Sequence, residues 1–195
     1  DFVVIYDTQG LFTAARVWWL FRLFGHERVA IMEGGLPAWE AANLPTSPGE
    51  ASSLQTEPYS AAFNDALFAS YYDVEGAVRA QDVTIFDARS AGRFSGAEPE
   101  PRPNLPSGHM PGAINIPFNL LIESATGGFK SKDQLRNIFG DSLSIEQGII
   151  TTCGSGVTAC VLALALYHLG ITARVYDGSW TEYGSLVGVP VAVGA

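Results

Sequence analysis

The residue types best suited to chemistry lie in one run, Cys153-Gly154-Ser155-Gly156-Val157-Thr158-Ala159-Cys160. Residues 148–152 before it read as a short buried strand, and residues 157–168 as an apolar helix that stops at Gly170. A cysteine on a turn between strand and helix has its sulfur near the free amides and positive end of that helix. Those conditions favour a thiolate, the nucleophilic form, over a thiol. Gly154 and Gly156 let the backbone curl so that several amides point at one anion. Cys153 is the candidate nucleophile. Cys160 lies two turns into the helix and reads as a core residue. Ser155 fits a helix N-cap, a loop hydroxyl with a chemical role, or both.

Other polar residues have plainer readings. Arg93 and Arg102 sit nine apart in a loop full of Pro and Gly, where arginines are usually solvated. Arg89 follows Asp87 at a strand end and reads as structural, pairing with that carboxylate. His109 reads as part of a turn. His26 and His168 flank helix-ending glycines, where they would face the negative end of the helix. Trp180 is expected to pack beside the cysteine loop.

These residues need a frame, and 195 residues suffice for one generous domain or for one domain plus a piece of another. A hydrophobic fraction of 47% with 16% charged residues describes a globular chain with a large core. The net charge of −9 argues against nucleic acid and anionic membranes as partners, but says little about a small anionic substrate. Two cysteines seven apart make no disulfide framework, so a reducing, cytoplasmic setting is the expectation. They also lack the four-ligand spacing of a zinc site, and no metal is expected. No apolar run reaches the ~20 residues needed to cross a bilayer. The chain opens in a strand, Asp1-Phe2-Val3-Val4-Ile5-Tyr6, with no initiator Met, and reads as a fragment of something longer.

The two ends of the chain echo each other. Residues 2–6 read as a strand, 13–24 as a helix ending at Gly25, and 28–32 as a second strand leading to Glu33-Gly34-Gly35-Leu36-Pro37-Ala38-Trp39. At the far end, strand 148–152, helix 157–168, Gly170, strand 173–176 and Asp177-Gly178-Ser179-Trp180 follow the same order. At an offset of 145, Thr13-Ala14 falls on Thr158-Ala159 and Gly25 on Gly170. Two copies of one strand–turn–helix–strand unit are therefore expected. Thr8 takes the place of Cys153 in the first, which has no nucleophile.

Between the copies, residues 44–62 are rich in Pro, Ser, Ala and Glu without periodicity and read as a linker. Residues 73–80 read as a helix, 83–86 as a strand, 90–108 as a long polar loop, and 109–117 as a turn feeding another strand. Further helices are expected at 118–121 and 131–139. Strands alternating with helices imply a parallel sheet covered on both faces, with ligands at the strand ends. The organisation expected is residues 1–43 as the C-terminal portion of one domain, 44–62 as linker, and 63–195 as a complete α/β domain. The helix at 13–24 is apolar around most of its circumference, so burial on more than one side is expected, by strands upstream or a neighbouring domain.

The cysteine loop, with Asp87-Ala88-Arg89, Gly92-Arg93-Phe94, Glu100-Pro101-Arg102, Gly108-His109-Met110-Pro111-Gly112-Ala113 and Asp177-Gly178-Ser179-Trp180, resembles the 3-mercaptopyruvate sulfurtransferases. These are tandem-domain members of the rhodanese family, and the resemblance spans nearly the whole chain. It implies a non-catalytic first domain and a catalytic second one. Cys153 would take the transferred sulfur as a persulfide, with Ser155 assisting. Arg93 and Arg102 would hold the carboxylate of 3-mercaptopyruvate, and Gly154, Gly156, Val157 and Thr158 would line the loop. No cofactor is implied; the acceptor would be a thiol, such as that of thioredoxin, or cyanide. Family contacts from an Asp and a His in the early first domain have no counterpart here.

Three alternatives remain. Thiosulfate sulfurtransferases handle a dianion and favour Arg or Lys in the loop, whereas the five residues after Cys153 are neutral. A cysteine phosphatase needs an arginine closing the loop, and positions 158–160 are Thr, Ala and Cys. A non-catalytic rhodanese-like module would bind a protein partner instead.

Overall fold

The computed structural model describes residues 1–49, 58–143 and 148–194. Five short strands form its main sheet: β3 (Phe68–Ala69), β4 (Thr84–Asp87), β5 (Ile114–Asn115), β6 (Ile149–Thr152) and β7 (Arg174–Tyr176), after β1 and β2 of a smaller sheet. Their order is β3-β7-β6-β4-β5, and every pair is parallel. Successive strand residues face opposite ways. Phe86, Ile149 and Val175 enter one apolar cluster, and Ile85, Ile150 and Tyr176 the other. The parallel α/β architecture expected from the alternation of elements is present.

One face is covered chiefly by α6 (Ala159–His168), by α5 (Lys132–Phe139) and by a 3-10 turn at Phe118–Leu121. The other is covered by α3 (Tyr71–Ala80) and α7 (Ser179–Tyr183). Helix α3 begins two residues earlier than its sequence pattern suggests because Ser70 caps it. The Ser70 hydroxyl accepts the Asp73 N–H, and the Asp73 carboxylate accepts the Ser70 N–H in return. The expected loop over 90–108 is interrupted by a short helix, α4 (Ala91–Ser95). Gly92 within it and Gly96 just after it hide it from a reading based on composition.

The smaller sheet pairs β1 (Val3–Ile5) in parallel with β2 (Val29–Ile31), joined through α1 (Ala14–Leu23), and a helix, α2 (Gly35–Ala41), follows. The internal echo holds in three dimensions. Adding 145 to the bounds of α1 gives those of α6, and adding 145 to those of β2 gives those of β7. Residues 44–49 and 58–62 form no helix or strand, and residues 50–57 of the expected linker lie outside the described residues.

The apolar helix α1 finds cover within the chain. Ala14, Ala15, Trp18, Trp19 and Leu23 join the cluster that holds α6, Trp18 packs on Tyr167 at 5.1 Å between ring centroids, and the Trp19 indole N–H donates to the Leu67 carbonyl. Helix α6 is buried from Ala159 through Leu166, lying between the sheet and α1. That sandwich fixes the first turn of α6, where the cysteine loop ends.

Candidate active site

Cys153 leaves the C-terminal end of β6, beside the ends of β4 at Asp87 and of β7 at Tyr176. The side chain is only 2% exposed. Its Sγ accepts the Ser155 N–H at 3.4 Å, and the Ser179 hydroxyl lies 4.0 Å away. The Cys153 N–H donates to the Ser179 Oγ at 3.2 Å, and the Ser179 hydroxyl donates to the Tyr176 carbonyl at 2.8 Å. Ser179 is fully buried with φ +52°, a conformation unusual for a residue with a side chain. The motif containing it was visible in the sequence; the left-handed backbone that turns its hydroxyl toward Cys153 was not.

The rest of the loop is held by its backbone. The Gly154 carbonyl accepts both the N–H and the hydroxyl of Thr181, at 3.0 and 2.5 Å, and the Cys153 carbonyl accepts the Trp180 N–H at 2.9 Å. Gly156 has φ +78°, and a Cβ there would fall 2.6 Å from Asp177 Oδ1. Among the described residues, the amides of Gly154, Gly156, Val157 and Thr158 meet no protein acceptor. Ser155 is not the N-cap of α6. Thr158 holds that position, without a side-chain cap, and Ser155 instead turns its N–H onto the sulfur. Cys160 is fully buried, as expected, with its thiol donating to the Gly156 carbonyl; burial pushes that thiol far up from its ordinary value.

The first copy shows what such a loop binds. Asp7, in the place of Thr152, accepts the amides of Gln9, Thr13 and Ala14 at 2.7–2.8 Å. Those positions correspond to 154, 158 and 159. Burial raises the Asp7 carboxyl, but the amides of Ala14, Gln9 and Thr13 outweigh it and hold the group below its ordinary value. The loop of the first copy is thus filled by its own carboxylate. In the second copy the equivalent residue, Thr152, carries no charge, and the amides of Gly154 and Thr158 meet no protein acceptor among the described residues.

Arg93 and Arg102 come together at the loop. A Cβ on Gly154 would lie 2.8 Å from Arg93 Nη2 and 3.5 Å from Arg102 Nη1. Arg93, on α4, is clamped by Glu100, with Nη2 to Oε2 at 2.6 Å and Nε to Oε1 at 3.2 Å. Glu100 also binds Arg89 Nη1 at 2.7 Å. Arg89 forks onto Asp87, stacks 4.5 Å above the Trp180 ring and donates to the Gly108 carbonyl. Burial opposes the Arg89 charge, and Asp87 with Glu100 outweighs it, so the group stays above its ordinary value. The Asp87–Arg89 pairing follows expectation, and Glu100 is the bridging residue that the sequence reading passed over. Arg102 is exposed and makes no ion pair among the described residues. Three arginines against two carboxylates leave one positive charge at the loop.

The remaining residues are structural. The His109 ring stacks on Phe94 at 3.7 Å, with Nδ1 against the Phe94 carbonyl. At the end of α1 the His26 backbone N–H donates to the Phe21 carbonyl at 2.8 Å, while its ring packs on Phe21 and Tyr59 and its buried Nε2 has no partner among the described residues. His168 ends α6 and stacks on Phe129. Trp180 is fully buried beside the loop, its indole N–H donating to the Pro106 carbonyl.

A parallel sheet whose strand-end cysteine sits in a curled turn before a helix defines a class of α/β domains built around a reactive thiol. Residues 70–186 match the family profile of the Rhodanese-like domain, and the chain belongs to the rhodanese family. It is 42% identical over 185 residues to a human protein named 3-mercaptopyruvate sulfurtransferase, covering 93% of this chain and 62% of that one. An Arabidopsis thaliana relative named thiosulfate/3-mercaptopyruvate sulfurtransferase 2 is 37% identical, covering 98% and 62%. The crystal structure of SseA from Escherichia coli, described as a 3-mercaptopyruvate sulfotransferase with a "Rhodanese" fold, superposes with a TM-score of 0.80 at 40% identity, covering 92% of this chain and 67% of that one. The chain thus spans about three-fifths of the length of the human and plant relatives. No helix among the described residues is long and apolar enough to cross a membrane.

Proposed function

We propose that the chain carries the catalytic half of a 3-mercaptopyruvate sulfurtransferase, with residues 1–43 the end of a silent domain and 63–195 the catalytic one. The Cys153 thiolate attacks the sulfur of 3-mercaptopyruvate. An S–S bond forms, the C–S bond breaks, and its electron pair leaves as the enolate of pyruvate, which takes up a proton. The amides of residues 154–158 receive the negative charge on the sulfurs, and the preorganised loop needs no rearrangement to do so. A thiol, such as that of thioredoxin, or cyanide then attacks the outer sulfur and restores Cys153. The two half-reactions predict ping-pong kinetics. Ser155 contributes its N–H to the sulfur. Arg93 and Arg102 bind the substrate carboxylate, Arg102 as the unpaired charge and Arg93 as an arm fixed by Glu100.

The single observation that carries this reading is the cup of unpaired amides around a cysteine sulfur, whose silent counterpart is closed by Asp7. The charge balance supports the substrate. One net positive charge matches the monoanionic carboxylate of mercaptopyruvate better than the dianion thiosulfate, although a plant relative's name includes both. Turnover with each donor, with Cys153→Ser as control, tests the proposal. Pyruvate release that needs Cys153, exceeding thiosulfate turnover, is expected. A clear thiosulfate preference would overturn the substrate assignment, and an active Cys153→Ser variant the mechanism.

A further inference from the structure

Arg16 belongs to α1 of the first copy, yet its guanidinium reaches the second copy's cysteine loop. Nη1 lies 2.5 Å from Asp177 Oδ1, across 161 residues of sequence. Asp177 directly follows β7, and the pair lies against Gly156. A Cβ built on Gly156 would fall 2.6 Å from Asp177 Oδ1, 2.7 Å from Arg16 Nη1 and 2.7 Å from the Asp177 carbonyl. The ion pair therefore walls the loop at the residue whose positive φ sets its curl. Arg16 is 26% exposed and Asp177 39%, and the Arg16 guanidinium lies 5.6 Å from the Trp19 ring.

We infer that Arg16 is a positioning residue for the chemistry at Cys153: paired with Asp177, the silent copy supplies the cation that holds the catalytic loop in its curled, anion-accepting form. Two features set the pair apart from an ordinary contact between packed units. It touches the one loop residue whose backbone has no freedom to accept a side chain. It also lies beside Cys160, whose thiol donates to the Gly156 carbonyl at 3.1 Å, so side chains from α1, α6 and the end of β7 meet at one loop residue. The bond to Asp177 does most to hold Arg16 above its ordinary value, against burial. The remaining charged groups at the loop, Arg93 with Glu100 and Arg102, lie at Gly154, on the substrate side. Arg16 acts on the loop, and those arginines on the ligand.

The proposal rests on the sulfur-transfer reading only for its turnover arm. The variants are Arg16→Gln, Arg16→Lys, Asp177→Asn and the Arg16→Gln/Asp177→Asn pair. For each, the rate of Cys153 carbamidomethylation by iodoacetamide at neutral pH is measured by mass spectrometry, beside kcat and KM with mercaptopyruvate and the melting temperature. Arg16→Gln is expected to slow labelling of Cys153 and to lower kcat, each about tenfold, with KM within twofold of the parent. Arg16→Lys recovers most of both losses. The double variant loses no more than the worse single one, because the two residues act as a unit. Labelling and kcat within twofold of the parent in both Arg16→Gln and Asp177→Asn would overturn the proposal. So would a melting temperature that falls while both rates hold. Should Arg16→Gln fail to fold, Asp177→Asn, which keeps its size and removes only the charge, decides alone. If the parent chain does not turn over mercaptopyruvate, the sulfur-transfer reading fails while the labelling series still decides the role of Arg16.

Discussion

Alanine at Gly154 should separate substrate binding from the reactivity of the sulfur. The backbone there is outside the left-handed region, so a side chain costs no torsional strain. The new methyl would sit 2.8 Å from Arg93 Nη2, where ordinary contact begins at 3.4 Å, so the two must part by about 0.6 Å. The loop has little room to yield, since Thr181 holds the Gly154 carbonyl through both its N–H and its hydroxyl. Arg93 has little more, being clamped to a Glu100 that Arg89 holds from the other side. The guanidinium therefore leaves its place over the loop, and its contact with the substrate carboxylate weakens. A charge-assisted contact is worth about 1.5–3 kcal/mol, and losing the lower end of that range raises KM about tenfold. The kcat should stay within about threefold, because Cys153 and the amides beyond Gly154 are untouched. Initial rates of pyruvate release across mercaptopyruvate concentrations, with a thermal melt of the same variant, provide the assay. A KM within twofold of the parent, in a folded variant, would refute the assignment of Arg93 to the anion site.

Two further outcomes follow from the charged residues. Glu100→Gln removes the carboxylate shared by Arg89 and Arg93; breaking a buried pair costs about 3–5 kcal/mol, and at 2–4 °C per kcal/mol for a chain of this size calorimetry should show a melting temperature lower by at least about 6 °C. The same variant leaves one more positive charge at the loop, so its ratio of thiosulfate to mercaptopyruvate turnover should rise. Asp7→Asn should cost about 0.3–1 kcal/mol at neutral pH, as loss of a carboxylate facing the N-terminal amides of a helix does. Because the folded carboxyl is held below its unfolded value of 3.8, that contribution is complete above about pH 4 to 5 and disappears as pH falls through the folded value. Denaturant melts of parent and variant should therefore differ at pH 7 and converge in strong acid.

Much of the fold was legible because its signals are local. The β6–α6 unit is an apolar strand, a glycine-rich turn and an apolar helix in immediate succession, and the repeat at an offset of 145 needs only one pair of sequences to see. The nucleophile candidate and the Asp87–Arg89 pair are likewise short-range. What escaped was set by tertiary structure. Helix α4 forms despite Gly92 within it because Phe94 is buried against His109, not because its residues favour a helix. Ser155 sits where a cap would be sought, and the loop takes three more residues before the helix begins. The Glu100 bridge, the Ser179 conformation and the Arg16–Asp177 pair all join distant elements or depend on a left-handed residue. No periodicity or spacing records them.

The two copies also explain why a silent unit accompanies the candidate active one. Each has a parallel strand pair, a connecting helix of the same length and a loop that turns amides inward, so each could hold an anion. Among the many positions at which they differ, two adjacent ones decide what each loop holds. Asp7-Thr8 in the first provides a carboxylate that fills its own cup and no sulfur; Thr152-Cys153 in the second provides a sulfur and leaves the cup open. A ring of amides turned inward without a protein acceptor is a local liability, since its dipoles repel one another. The filled copy bears no such cost, and its helix is free to serve as packing for α6 and to extend Arg16 across to the loop that does. Duplication followed by divergence at the cup would in this way let one unit stabilise the reactive arrangement of the other.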